Sequence, residues 1–155
     1  MKVTLRDYRP ADFTTLYDID QACYEPGIAY SRRMLREFLD LPGARCDVAC
    51  VGGEIAGFLI VVSEGDRAHL ITIDIAGAWR RRGIGSALLV RAERELARSG
   101  VRLVELETAT TNEAAVAFWR KHGYRIAAVH ARYYLNRIDA YLMLKLLASS
   151  GARED

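Results

Sequence analysis

The chain has 155 residues, 51% of them hydrophobic and 27% charged. That supports one core of ordinary size and excludes disorder, collagen repeats and a disulfide scaffold. With 22 basic and 20 acidic residues the formal charge is only +2, too even a balance to direct the chain to nucleic acid. Its three cysteines, Cys23, Cys46 and Cys50, lack the further Cys or His residues that would complete a zinc site, so they read as free thiols and no metal is expected.

Lys2 to Tyr8 alternates apolar and polar residues, the period of a strand. Pro10-Ala11-Asp12 opens a helix with Phe13, Leu16, Tyr17, Ile19 and Asp20 at helical spacing, and Pro26-Gly27 breaks the chain. Ser31 stands as N-cap to a second helix through Met34, Leu35, Phe38 and Leu39, ended by Pro42-Gly43. Strands over Cys46–Val51 and Ile55–Val62 form a hairpin about Gly52-Gly53, and Ala68–Ala76 is a further strand. A helix over Gly83–Ser99 puts Ile84, Leu88, Ala92 and Leu96 on one face and stops at Gly100. Val101–Thr108 is a strand, Asn112 opens a helix closed by His122-Gly123, and Tyr124–Tyr134 and Ala140–Leu147 are the last strands. The order β-α-α-β-β-β-α-β-α-β-β predicts a single α/β (α+β) domain over 1–148, with a mixed, mostly antiparallel central sheet and about four helices. Residues 149–155 are expected to fray. No segment has the apolar length of a signal core or a membrane span, so a cytoplasmic protein that touches neither membrane nor nucleic acid is expected, as a monomer or homodimer.

The segment with most chemistry is Arg80-Arg81-Arg82-Gly83-Ile84-Gly85-Ser86, between a strand and a helix. Glycines let backbone approach an anion, and the first amides of a helix lie at the positive end of its dipole. A phosphate or pyrophosphate is the natural ligand. A phosphate loop would need Gly-Lys-Ser/Thr, which is absent. A dinucleotide loop would need a small residue where Leu88 stands.

Arg80, Gly83 and Gly85, followed by Ser86-Ala87-Leu88-Leu89, resemble the cofactor signature of the GNAT superfamily of acetyl-CoA-dependent N-acetyltransferases. So does the run from Asn112 to Tyr124: Asn, small residues, an aromatic pair Phe118-Trp119, then Gly123 and an aromatic. The resemblance covers nearly the whole chain. It is strongest to the branch that acetylates ribosomal-protein N-terminal alanines. It implies acetyl-CoA as co-substrate, with its pyrophosphate on the amides of Arg81, Arg82, Gly83, Ile84, Gly85 and Ser86. It further implies the pantetheine arm and acetyl carbonyl on the main chain of Ile73, Asp74 and Ile75, and cofactor contacts at Asn112 and Trp119. The side chains of Arg80, Arg81 and Arg82 would add charge to the phosphate site.

In such a reaction a neutral amine attacks the thioester directly, so the enzyme must accept a proton and stabilise an oxyanion. Glu107 is the first candidate base: it shares a strand face with Glu105 and lies five residues before Asn112, the spacing of the base in that branch. His69 is the alternative, with a pKa suited to the task. The branch carries its general acid as a Tyr where this chain has Trp119, and an indole N–H cannot supply a proton at neutral pH. Either the thiolate leaves unaided or another hydroxyl serves, with Tyr133 the candidate acid. Tyr133-Tyr134 with Asp139-Ala140-Tyr141-Leu142-Met143 also resembles the peptide-contacting hairpin of protein N-terminal acetyltransferases, and Tyr30 would line the acceptor cleft. The expected acceptor is a protein N-terminal α-amine. A small-molecule amine, or a domain that senses acyl-CoA without catalysis, are the other readings.

Overall fold

Proline and glycine punctuate the chain, and the regular elements fall between them. The computed structural model describes residues 1–148; the expected tail at 149–155 lies outside the described residues. In chain order the elements are β1 (Val3–Asp7), α1 (Phe13–Cys23), α2 (Arg32–Asp40), β2 (Ala44–Val51), β3 (Glu54–Glu64), β4 (Arg67–Ile75), α3 (Ile84–Arg98), β5 (Leu103–Ala109), α4 (Glu113–Lys121), β6 (Arg125–Tyr134) and β7 (Ile138–Leu146). This is the order expected. Two 3-10 turns add to it, Pro10–Asp12 and Gly77–Trp79. The first replaces the expected helical start at Pro10. Asp12 folds back there: its carboxylate accepts the Arg9 amide at 2.8 Å and the Arg6 guanidinium at 2.8 and 3.0 Å. Ser31 caps α2 as expected, its Oγ accepting the Met34 amide at 3.1 Å.

The strands form one seven-stranded sheet in the order β1-β2-β3-β4-β5-β7-β6. β1–β2, β2–β3, β5–β7 and β6–β7 are antiparallel, while β4 and β5 run parallel through Arg67↔Leu103, Ala68↔Val104 and His69↔Glu105. The sheet is thus mixed and mostly antiparallel. Among the described residues no helix is long and apolar enough to cross a membrane.

By packing, the chain resolves into two compact units. One comprises Met1–Val62 and Leu70–Glu95. Its core joins Phe13, Leu16 and Ile19 of α1 and Leu35 of α2 to Val48, Phe58 and Ile60 of the sheet, all buried. Glycine is required at position 57 of β3. A Cβ there would lie 2.7 Å from the Asp74 carbonyl oxygen and 2.6 Å from Ile75 Cδ1, so only Gly57 allows this approach to the end of β4. The other unit comprises Ser63–His69 and, among the described residues, 96–148. Val104, Leu106, Tyr124, Ala140 and Met143 are buried in it, and the Trp119 ring packs edge-on to Tyr124 at 5.3 Å.

Candidate active site

Strand alternation sorts the polar residues of β5. Val104, Leu106 and Thr108 are buried, while Glu105 and Glu107 share the other, half-buried face. On β4, Ala68, Leu70, Thr72 and Asp74 are buried, and His69 belongs to the half-buried set. The parallel register sets His69 opposite Glu105, one step from Glu107. His69 Nε2 lies 2.6 Å from Glu107 Oε1, with the two side chains 41% and 14% exposed. The two candidate bases, alternatives in the sequence, are one hydrogen-bonded pair. That bond raises the His69 pKa above the ordinary imidazole value, against the opposing effect of burial.

Glu105 stands beside the pair and receives Arg67 at 3.4 Å. The ligand atoms of His69, Glu105 and Glu107 lie within 4.8 Å of one another. A 2.6 Å separation is that of a shared proton. Zinc ligands at about 2.0–2.2 Å from an ion stand further apart than this. The arrangement is that of a hydrogen-bonded imidazole and carboxylate.

The same unit carries the β6–β7 hairpin. Its register is irregular between His130 and Tyr134, and Arg132, Leu135 and Asn136 adopt positive φ. The Arg132 amide donates to Asp139 Oδ1 at 2.9 Å, which holds the irregular turn. Tyr133 is half exposed, and its ring meets Tyr134 edge-on at 4.8 Å and stacks with His130 at 6.0 Å. Burial and then the charge of Glu107 raise the Tyr133 pKa. Burial, Tyr133 and Glu107 do the same for Tyr134. Both phenols therefore keep their protons at neutral pH. Asn112 caps α4, its side-chain oxygen accepting the Ala115 amide at 3.1 Å; the two N–H donors of that side chain take no part in the cap. Trp119 is buried, edge-on to both Phe118 and Tyr124, so packing accounts for the indole.

The first unit carries the residues assigned to the cofactor's pyrophosphate and pantetheine arm. Arg81 and Gly83 have φ of 62° and 79°, and α3 begins at Ile84. Ala87 N–H donates to the Gly83 carbonyl, so the amides of Ile84 and Gly85 precede the first bond of the helix. Residues alternating into positive φ turn successive amides to one side, the backbone form of an anion site. A Cβ at Gly83 would meet no heavy atom within 4 Å. The arginine side chains do not behave alike. Arg80 is turned to β4: its Nε donates to the Ile75 carbonyl at 3.2 Å, and it reaches Cys23 Sγ at 3.5 Å. Arg82 lies over the Trp79 ring at 5.3 Å. Arg80 thus secures the turn to the strand end. Tyr30, after α1, is held from both sides: its amide donates to Asp20 Oδ2 at 2.7 Å and its carbonyl accepts Gln21 Nε2 at 2.7 Å. Its hydroxyl reaches the Ile71 carbonyl at 3.5 Å.

One group escaped the sequence reading. Asp74 was assigned only for its main chain, yet its side chain is buried, as is that of Asp20. Thr72 Oγ1 donates to Asp74 Oδ1 at 2.6 Å, and the Tyr24 hydroxyl lies 3.3 Å from Thr72 Oγ1. Burial, then the hydrogen bond and charge of Asp20, push the Asp74 carboxyl well above the usual carboxylate range. The signal available was Thr72 and Asp74 at even spacing from Leu70, polar residues on the apolar face of a strand.

The acetyltransferase (GNAT) family matches residues 13–124. The N-alpha-acetyltransferase MAK3 of Arabidopsis thaliana is 34% identical over 134 residues, 83% of this chain and 68% of its own. The L-amino acid N-acetyltransferase AaaT of Escherichia coli is 30% identical over 116 residues, 69% of this chain and 71% of its own. The crystal structure of the ribosomal-protein-S18-alanine N-acetyltransferase from Escherichia coli superposes with a TM-score of 0.88 at 25% identity, covering 99% of both chains.

Proposed function

The chain belongs to the acetyltransferase (GNAT) family, and on that premise we propose that this acetyl-CoA-dependent N-acetyltransferase acts on a protein N-terminal α-amine. The observation that carries the acceptor is the β6–β7 hairpin. It presents a half-exposed Tyr133 beside the more buried Tyr134 on an irregular turn, and both phenols sense the charge of Glu107. A peptide backbone needs such an open aromatic surface; a free amino acid does not. The similarity to the MAK3 protein and to the S18-alanine enzyme points the same way.

In this reading the amides of 81–86 bind the pyrophosphate of acetyl-CoA, and the main chain of Ile73 to Ile75 holds the acetyl carbonyl. Asn112 donates to the cofactor from its free amide. An α-amine titrates near pH 8, so a useful fraction is neutral in the physiological range. Its nitrogen attacks the carbonyl carbon, and its surplus proton passes to Glu107, directly or through a water, with His69 sharing the charge. A main-chain amide of β4 stabilises the oxyanion. The C–S bond then breaks, and the thiolate takes a proton from Tyr133. Trp119 has no part in proton transfer.

A second reading, acetylation of a free amino acid, is favoured by the similarity to AaaT. Thiol release from acetyl-CoA, followed with a panel of short peptides and with free amino acids, separates the two. Peptide-dependent release that persists across peptides sharing only their first residues supports the proposal. Release with free amino acids at equal kcat/KM removes it. Saturable acetyl-CoA binding with no release on any acceptor would instead identify a sensor.

A further inference from the structure

Asp12, Asp20, Asp47 and Asp74 are four aspartates with almost no exposure. Two are neutralised by arginine. Asp12 holds Arg6 at 2.8 Å, and Asp47 holds Arg45 at 2.8 Å and Arg91 at 2.6 Å. The other two, Asp20 on α1 and Asp74 on β4, have no Arg or Lys on them among the described residues. Each also has one buried oxygen that receives no donor, Asp20 Oδ1 and Asp74 Oδ2. Two bare carboxylates at 0% and 1% exposure would carry a prohibitive desolvation cost and repel each other.

A single added proton removes the difficulty, and the hydrogen bonds say where it sits. Thr72 Oγ1 has the short contact to Asp74 Oδ1, so it donates there, and Tyr24 donates to Thr72. Asp74 Oδ1 is then the carbonyl-like oxygen, and Oδ2 carries the proton. Asp20 already accepts the Tyr30 amide on Oδ2, and its Oδ1 is open to a second donor. We propose that Asp20 and Asp74 share one proton, carried on Asp74 Oδ2 and donated to Asp20 Oδ1. This proton locks the segment from Tyr24 to Ser31 onto α1 and β4. The segment is fastened at Tyr24 through Thr72 and at Tyr30 through Asp20, so both ends of the lock depend on the same proton.

Besides Tyr30, whose hydroxyl reaches the Ile71 carbonyl, titratable groups near the pair among the described residues include Cys23 and Tyr24. Burial raises both above their ordinary values, which leaves them neutral. Arg80 reaches Cys23 and the Ile75 carbonyl, not the carboxyls. Alkaline pH therefore removes the shared proton, creates adjacent buried anions, and frees the segment. The lock itself is independent of the enzyme's acceptor. Its consequence for catalysis rests on the reading of Tyr30 as part of the acceptor cleft.

The test is a carbon-13 NMR titration of the whole chain labelled at aspartate carboxyls, with Asp74→Asn and Asp20→Asn for assignment. The Tyr30 amide is followed in the same samples. One carboxyl that titrates far above the other aspartates and disappears in Asp74→Asn, with the Tyr30 amide shifting at the same midpoint, supports the lock. Asp74→Asn keeps a donor toward Asp20, so in that variant the Tyr30 amide stays in place and insensitive to pH. Asp20→Asn loses the charged acceptor and loosens Tyr30 at every pH. Both carboxyls ionising with the other aspartates, or a Tyr30 amide indifferent to the titration, overturns the proposal. The KM for acceptor peptide is measured over the same pH range. A rise of roughly ten-fold through the NMR midpoint, the effect of losing one charge-assisted hydrogen bond, supports the cleft assignment as well. A flat acceptor KM beside a positive titration upholds the lock and removes Tyr30 from the acceptor cleft.

Discussion

If His69 and Glu107 act as one proton acceptor, removing either changes the pH dependence of turnover in a distinct way. Their 2.6 Å contact joins an imidazole to a carboxylate, a charge-assisted bond with a net worth of about 1.5–3 kcal/mol in general. His69 is 41% exposed at its side chain, so solvent screening brings the effect below that range. In the wild type the acid limb of kcat/KM should therefore lie above the ordinary imidazole range, because the Glu107 carboxylate favours the protonated ring. Below that limb the pair is already protonated and cannot accept the proton of the amine. His69→Gln leaves a lone carboxylate, and the limb moves down toward carboxylate values while turnover at neutral pH falls about ten-fold, because a weaker base remains. Glu107→Gln removes the acceptor and should cost about 10²–10³-fold in kcat with the KM for acetyl-CoA unchanged within about two-fold. Initial rates of thiol release across pH, at saturating and at limiting peptide, provide the measurement. A Glu107→Gln enzyme within a few-fold of wild type, correctly folded, would refute the pair as proton acceptor. So would an acid limb that does not move in His69→Gln.

Three further outcomes follow from the same structure. Trp119→Phe should retain substantial kcat, since no proton passes through the indole, while the lost ring volume against Phe118 and Tyr124 costs about 1–2 kcal/mol in denaturant unfolding; a folded variant without turnover would contradict this. Gly83→Ala forces an L-residue into φ of 79°, a strain of about 1–2 kcal/mol that the turn relieves by opening, so the KM for acetyl-CoA should rise about ten-fold with the acceptor KM unchanged. The raised pKa of His69 means the folded state binds its proton more tightly than the unfolded chain does. The stabilisation is therefore complete below about pH 6.5 and lost as pH rises through the higher folded value, by under about 1 kcal/mol given the exposure. Thermal melts across that window should show the loss in the wild type and a flatter profile in His69→Gln.

The order of the elements was legible because local signals agree with one another. Ser31 both interrupts the pattern and caps α2, and strict alternation marks β4 and β5. The turn at Arg80–Ser86 was legible as an anion site because glycine spacing and a helix start are local facts. The use of Arg80 was not: its partner is the carbonyl of Ile75, and only the folded turn brings the guanidinium back to the strand. The His69–Glu107 pair was visible only as two rival candidates, since their contact depends on a parallel register of three residue pairs that no periodicity encodes. Asp20 and Asp74 were hidden for a related reason. Each looks ordinary in its own element, one acid on an amphipathic helix and one in a strand, and what matters is that neither receives an arginine.

The parity of β4 joins these features into one argument. Its sequence His69-Leu70-Ile71-Thr72-Ile73-Asp74-Ile75 assigns alternate residues to opposite faces. His69 belongs to the half-buried set, where a group that exchanges protons with a substrate must have access to it. Thr72 and Asp74 belong to the buried set, where a proton once placed is held. A shift of one residue would exchange the two sets, burying the imidazole and exposing the carboxyl. The need for Gly57 against Asp74 and Ile75 opposes that shift from the side of β3. The three pairs from Arg67 to His69 oppose it from the side of β5. The register of one strand therefore separates a proton that must move from a proton that must stay.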